Sequence, residues 1–437
     1  MPRSSDTIFA LSSGRLPSGV ALVRVSGRDA RQAALSLAGV VPPARVARYA
    51  ALRHPESGDL LDRALVLFFP GPRSATGEDL VELHLHGGPA VVAAVLGALG
   101  ELPGFRPALP GEYTRRAHAN GKMDLAEVEG LADLIAAESE AQRRQALAQS
   151  AGALSRAVAG WRERLIRALA LVEATIDFSD EADVPEDLTG PALNETRLLR
   201  AELAAAIADA ARGERVRDGL AIAIAGPPNA GKSTLLNRLA GREAAIVSAI
   251  PGTTRDVLEV HLQLAGQAVT LIDTAGLRET DDVVEAEGVR RARARAAAAD
   301  LVLWLSDTGA PPPDDLPGAL VVRTKVDAGT QDGAGEGDGF AISAITGEGL
   351  EELIAEIERR AASLGGGEPA LVTRARQRHA LAEALAELDL ALSIASGDED
   401  LLAEHLRLAA RALDQVVGRV DVEDVLDALF RTFCIGK

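Results

Sequence analysis

The stretch "GPPNAGKS" (226–233) constrains this chain more than any other. It follows the apolar run "LAIAIAG" (220–226) and leads into "TLLNRLAG" (234–241), so a strand passes into a helix through a glycine-rich loop. That context makes the pattern G-x-x-x-x-G-K-[ST] a phosphate-binding element rather than a chance match. Its glycines let backbone N–H groups wrap phosphates, and the helix N-terminus favours negative charge. Lys232 is expected to pair with the β- and γ-phosphates and Ser233 to hold Mg2+. The surroundings agree. "AVTLID" (268–273), "LVLWLS" (301–306), "ALVVRTK" (319–325) and "FAIS" (340–343) are short apolar runs separated by helical or loop sequence. That alternation is an α/β sheet pattern.

Further signals follow in the order a guanine-nucleotide switch requires. "PGTTRD" (251–256) supplies a threonine for Mg2+. "DTAG" (273–276) ends a strand, so Asp273 can reach the Mg2+ shell and Gly276 can sense the γ-phosphate. "TKVD" (324–327) ends another, and Asp327 can accept from the guanine N1–H and amino group, which adenine does not offer. "ISA" (342–344) fits the last base-contacting loop. The expected GTP contacts are Asn229, Ala230, Gly231, Lys232, Ser233, Thr234, Ser248, Ala249, Ile250, Pro251, Gly252, Thr253, Thr254, Asp273, Thr274, Ala275, Gly276, Thr324, Lys325, Asp327, Ser343 and Ala344.

Two positions depart from the usual pattern. The base motif is normally N-K-x-D, and Thr324 replaces its Asn, which contacts the purine and ties the loop to the phosphate loop. Losing one hydrogen bond costs about 0.5–1.5 kcal/mol, so weaker GTP binding is expected, with guanine selectivity kept by Asp327. The second departure is Leu277, directly after D-T-A-G, where Ras-like switches carry a water-orienting Gln. Leucine cannot orient water. Acidic candidates follow in "LRETDDVVEAEG" (277–288), and the charge developing on the phosphates needs a cation. Arg255, Arg278 or a monovalent metal ion held by Asn229 could supply it.

On either side of residues 218–368 the texture changes. Residues 1–119 are β-rich, with "GVALVRVSG" (19–27), "RALVLFFPG" (63–71) and "LVELHLHGG" (80–88) closed by Gly or Pro as strands are. Residues 120–217 and 369–437 are dominated by Ala, Leu, Glu and Arg. Apolar stripes recur at helical spacing, at Leu125, Val128, Leu131, Leu134 and Ile135 and at Val158, Trp161, Leu165, Leu169 and Val172. The expected fold is therefore multidomain: an α+β N-terminal domain (1–119), an all-α helical domain in two halves (120–217 and 369–437), and an inserted Ras-like α/β P-loop G domain (218–368).

A formal net charge of −18 argues against a chain that coats itself with nucleic acid. The basic stretches at 114–122, 290–295 and 373–379 read first as solvated helix faces. A single cysteine excludes internal disulfides and Cys-built zinc sites, which suits a cytoplasmic protein. No apolar run is long enough for a membrane helix. His84 and His86 share a strand face without an evident third ligand, so a pocket wall is expected there rather than a metal.

The P-loop with Asn229, "AIVSAIPGTTRDV" (245–257), "DTAGLRET" (273–280) and the terminal "CIGK" resemble the MnmE/TrmE family of bacterial tRNA-modification GTPases. So do "ATGEDLVELHLHGGP" (75–89) and "PGEYTRRAHANGKMDLAEVEGLADLI" (110–135), and the likeness runs over essentially the whole chain. The resemblance implies a folate-binding N-terminal domain that also forms a homodimer, and K+-dependent GTP hydrolysis that accompanies G-domain dimerisation. It implies modification of carbon 5 of the wobble uridine of certain tRNAs, in a heterotetramer or larger complex with the flavoprotein MnmG, which brings FAD and NADH. The one-carbon unit would come from 5-formyl- or 5,10-methylene-tetrahydrofolate. On matching positions it implies K+ held by Asn229, Ser248, Ile250 and Thr253, Mg2+ by Ser233 and Thr254, a water-orienting Glu285, and folate contacts at Arg24, Glu82, Lys122 and Lys437. The alternative is a GTP-dependent RNA-binding or ribosome-assembly switch without modification chemistry, which leaves the N-terminal domain and the terminal thiol unexplained.

Cys434 lies in "FRTFCIGK" (430–437). Gly436 is not aliphatic and Lys437 is not a usual terminal residue, which argues against a prenylation box. A buried packing role, carried by Phe433 and Ile435, competes with a chemical one in which Cys434 lies beside the one-carbon unit or the uridine.

Overall fold

The computed structural model describes residues 6–177, 188–241, 259–273, 298–316, 318–328, 339–394 and 398–419, with 426, 429–430, 433 and 435–436. The chain forms two compact units. One comprises Met1–Ala132, Ser155–Arg162 and Ala410–Lys437, the other Asp133–Leu154 and Glu163–Ala409.

The first unit is built on a six-stranded sheet. Its strands are β1 (Thr7–Leu11), β2 (Ser18–Ser26), β3 (Arg48–Arg53), β4 (Leu60–Phe69), β5 (Leu80–Gly87) and β6 (Phe105–Pro107), in the order β3-β4-β5-β2-β1-β6. Alternation sends Ala21, Val23 and Val25 of β2 and Val81, Leu83 and Leu85 of β5 to one face. There they pack with helices α1 (Ala30–Ala38) and α2 (Pro89–Gly100) in a single core. The opposite face stays open, with Val20 of β2, Leu65 of β4 and Tyr49 of β3 exposed on it.

After β6, helix α3 (Glu112–Ala119) is fixed by charge. The Glu112 carboxylate accepts from both Nη atoms of Arg106 (2.8 and 2.6 Å), the Leu109 amide (2.9 Å) and Arg116 (3.1 Å). Burial alone would push this carboxyl up, but the hydrogen bonds from Arg106, Leu109 and Arg116 together hold it below its ordinary value.

The C-terminal tail belongs to this unit. Phe430 and Phe433 are buried with Val128, and the Arg115 guanidinium lies 5.0 Å from the centre of the Phe430 ring. Ile435 forms an antiparallel bridge with Pro110. Gly436 has φ +97°, and a Cβ there would come 2.2 Å from the Leu11 carbonyl oxygen. Phe433 is buried, whereas Ile435, expected to be buried with it, is 59% exposed.

The second unit contains the other sheet: β7 (Leu220–Ala225), β8 (Glu259–Leu264), β9 (Gln267–Asp273), β10 (Leu301–Ser306), β11 (Leu320–Arg323) and β12 (Phe340–Ala341). Their order is β12-β11-β10-β7-β9-β8, parallel except for the antiparallel edge pair β8–β9. Strand order reverses at β7, where an open α/β sheet opens a crevice beyond its carboxyl ends. Helices α8 (Lys232–Ala240) and α9 (Leu350–Gly365) contribute to the core under this sheet.

Helices flank this domain in sequence: α4 (Leu125–Ala136), α5 (Glu140–Ser150), α6 (Ala153–Asp177) and α7 (Thr189–Asp218) before it, α10 (Ala375–Ser393) and α11 (Glu399–Val416) after it. Two stripes read from the sequence need adjusting. Ile135, in the last turn of α4, is 44% exposed, and in α6 Ala168 is buried while Leu169 is only half-buried. Helix α5 starts with a capping box, Ser139 and Gln142, and its first turn meets the β8–β9 hairpin, where the Ala141 amide donates to Gly266 (3.1 Å). Gly213 of α7 lies under the chain that returns after the sheet. A Cβ there would sit 2.2 Å from the Val372 carbonyl oxygen, so close packing of α7 against the segment leading into α10 demands glycine. The architecture is an α+β N-terminal part, an all-α part, and a Ras-like α/β P-loop domain inserted in it.

Candidate functional site

The phosphate loop leaves β7 at the strand-order reversal. Gly226 adopts φ +148°, and a Cβ on it would come 2.1 Å from the Leu305 carbonyl oxygen, so only glycine lets the loop pass β10 this closely. Asn229 holds φ +61°, a left-handed conformation that Asn tolerates better than most residues. Gly231, at φ +88°, caps α8 and delivers the first helical N–H groups to the loop. Lys232 is buried, its Nζ donating to the carbonyls of Gly226 (2.9 Å) and Pro227 (2.8 Å). Ala230 is fully buried, and Ser233 and Thr234 occupy the first turn of α8.

The base loop is joined to the phosphate loop. Thr324 is 5% exposed, and its Oγ1 donates to the Ala230 carbonyl at 2.7 Å. Its amide donates to Ser306 at the end of β10. Lys325, at φ +59°, sends Nζ to Asp307 (2.9 Å), and this hydrogen bond holds the Asp307 carboxyl below its usual range. Asp327 stands exposed in a short 3-10 turn (Val326–Ala328). Ser343 is fully buried, its Oγ accepting from the Thr346 amide (3.1 Å), and Ala344 is half-buried beside it. The tether role expected to weaken at Thr324 is therefore carried by its hydroxyl.

Asp273 closes β9 and pairs in register with Ile224, two residues before the phosphate loop. Its side chain lies outside the described residues, as do Ser248, Ala249, Ile250, Pro251, Gly252, Thr253, Thr254, Thr274, Ala275, Gly276 and Glu285.

In the first unit, Arg24 and Glu82 are register partners across β2 and β5, and Arg24 Nε donates to Glu82 Oε1 at 2.9 Å. Ala10 of β1 lies opposite Arg24 on the other side. The Tyr113 hydroxyl donates to the Arg24 carbonyl (2.7 Å), and burial pushes its phenol far up, so it stays a donor. His84 Nε2 is 3.4 Å from Glu82 Oε2, while His86 Nδ1 lies 2.7 Å from Asp62. The two histidines thus have separate carboxylate partners. Tyr113, within the 110–135 stretch, and Asp62 of β4 gain a role only once the fold brings them to Arg24 and His86. Lys122 is exposed in the turn after α3, and Cys434 and Lys437 lie outside the described residues.

A glycine-built phosphate loop at the switch point of a Ras-like sheet, strapped to a T-K-x-D base loop, defines a P-loop GTPase. The family model of the TrmE N-terminus, described as a GTP-binding protein, matches residues 7–122, and that of the MnmE helical domain matches 125–434. The chain is 78% identical over its whole length, and that of the relative, to the tRNA modification GTPase MnmE of Azorhizobium caulinodans. It is 54% identical to that of Rhodopseudomonas palustris strain CGA009, again covering 100% of both chains. With that of Methylobacterium sp. strain 4-46 it shares 55%, over 99% of this chain and 100% of the relative. This chain belongs to the MnmE family of tRNA modification GTPases.

Proposed function

We propose that this protein couples K+-dependent GTP hydrolysis to modification of carbon 5 of the wobble uridine in tRNA. It acts as a cytoplasmic homodimer, in complex with the flavoprotein MnmG, which supplies FAD and NADH. A folate one-carbon unit enters at the N-terminal sheet, leading to an aminomethyl or carboxymethylaminomethyl group.

The observation that carries the reading is the seat of the C-terminal tail. Gly436 packs on Leu11, one residue along β1 from Ala10, and Ala10, Arg24 and Glu82 form one row across β1, β2 and β5. Gly436 therefore lies against the sheet that bears the Arg24–Glu82 pair, which supports a reading in which its sequence neighbours Cys434 and Lys437, outside the described residues, serve that site. The donor set suits a folate: Glu82 accepts from pterin N–H groups, Arg24 at 2.9 Å orients that carboxylate, Lys437 would pair with a carboxylate near the pterin, and Lys122 is a further cationic contact. When bound, the folate supplies the one-carbon unit. The open apolar residues Val20, Leu65 and Tyr49 on this sheet favour a second copy as neighbour.

In the G domain, Lys232, Ser233 and the α8 N-terminus fit the phosphates and Mg2+ of GTP, with Thr254 as the second Mg2+ ligand. Asn229, held at φ +61° within the loop, would join Ser248, Ile250 and Thr253 around K+. K+ would supply the positive charge that an arginine finger gives elsewhere. Leu277 offers no group to water, and among the acidic residues of 277–288 the family likeness points to Glu285 for the positioning role.

The test is GTP hydrolysis at saturating nucleotide in K+ and in Na+ at matched ionic strength, with and without the flavoprotein. Faster turnover in K+ is expected. Equal rates in the two salts would contradict the cation role.

A further inference from the structure

We propose that Thr324 serves as a strap to the phosphate loop, and that this protein therefore recognises guanine without a side-chain contact to purine N7. The inference rests on reading Thr324–Asp327 as the base-binding loop.

A threonine hydroxyl has one hydrogen to donate. Thr324 spends it on the Ala230 carbonyl at 2.7 Å, between a side chain and a loop residue that are both buried. Gly231 faces this strap, and a Cβ built on it would lie 3.9 Å from the Thr324 Cβ, an ordinary contact distance. The Thr324 amide is also engaged, by Ser306. Neither donor is left for a nucleobase. N7 of a purine is an acceptor and needs a donor. The carboxamide of an N-K-x-D asparagine has two N–H donors, enough for a loop carbonyl and N7 together. Replacing it with Thr keeps the first bond and gives up the second.

N7 is present in guanine and adenine alike, so its loss lowers affinity for both and leaves the choice between them untouched. Guanine is then distinguished at its N1–H and amino group by Asp327, which stands exposed at the mouth of the loop. Lys325 is held by Asp307, so the loop's shape is set by contacts within the protein.

The experiment measures Kd for GTP and 7-deaza-GTP, in which N7 is a C–H, with the full-length wild type and the variants T324N, T324V and D327N. The wild type should bind the two nucleotides within about twofold of each other, a difference smaller than one hydrogen bond. T324N should bind GTP a few-fold more tightly than wild type does, and prefer it over 7-deaza-GTP by about three- to tenfold. T324V, similar in volume, should weaken both nucleotides equally because the Ala230 carbonyl loses its donor. D327N should gain binding of xanthosine triphosphate, whose C2 oxygen accepts from the new carboxamide. A wild type that prefers GTP over 7-deaza-GTP by about tenfold would overturn the missing N7 contact. Unchanged affinities in T324V would overturn the strap. Failure of D327N to gain xanthosine triphosphate would overturn the base-loop reading beneath both.

Discussion

Replacing Glu285 with alanine is expected to slow GTP hydrolysis by about 10²–10⁴-fold, the usual contribution of a group that positions or activates a nucleophile. GTP affinity should hardly change. The expectation follows from what D-T-A-G is joined to. Leu277 occupies the position that carries a water-orienting Gln in Ras-like switches, and a leucine neither accepts nor donates a hydrogen bond. The phosphate loop would supply binding and charge through Lys232 and the α8 N-terminus, leaving the attacking water to be held from elsewhere. The carboxylates of 277–288 are the nearest in sequence to supply that function. A single-turnover rate within about twofold of wild type would move the role to Glu287 or Asp282, since a water-positioning group is worth far more than that. A large rise in Kd for GTP would mean that the residue shapes the switch rather than the water.

The second large effect lies at the other end of the chain. Cys434→Ser should abolish tRNA modification while GTP hydrolysis and folate binding persist. A thiolate is a far better nucleophile than a hydroxyl at neutral pH and can add to an electron-poor uridine ring. Gly436→Val gives the comparison that separates chemistry from placement. At φ +97°, with a Cβ 2.2 Å from the Leu11 carbonyl oxygen, no side chain fits, so the variant must unseat the tail beyond Phe433. It should lose modification with GTP hydrolysis intact. If Cys434→Ser modifies tRNA at the wild-type rate while Gly436→Val does not, the tail acts by position and Cys434 is no nucleophile.

The G domain was the most legible part of the sequence. Its phosphate and base loops are local patterns whose chemistry fixes both residue type and spacing, and β7, β9 and β10 are apolar runs buried in a parallel sheet. The edge strand β8, "EVHLQL", alternates polar and apolar residues as a half-buried strand does, yet no motif or Gly/Pro-closed apolar run marks it. β1 and β3 of the N-terminal sheet carry weak sequence signals as well. "TIFAL" is only five residues long, and "RYAALR" is an edge strand with little buried surface. Contacts between distant segments were the least legible. The Thr324–Ala230 strap spans 94 positions, and the Tyr113–Arg24 bond spans 89. No periodicity encodes either. Arg24 and Glu82 stand out in the sequence only by family likeness, and strand register makes them direct partners.

The central claim is that GTP turnover in this chain serves chemistry on tRNA through a folate bound at the N-terminal sheet. The direct measurement is mass analysis of wobble uridines after incubating tRNA with this protein, the flavoprotein partner, GTP, K+ and 5,10-methylene-tetrahydrofolate. The account predicts a uridine substituted at carbon 5. It also predicts none when the folate is omitted, when GTP is replaced by a non-hydrolysable analogue, or when Arg24 and Glu82 are both changed to alanine. Equal product without folate, or with the non-hydrolysable nucleotide, would contradict it.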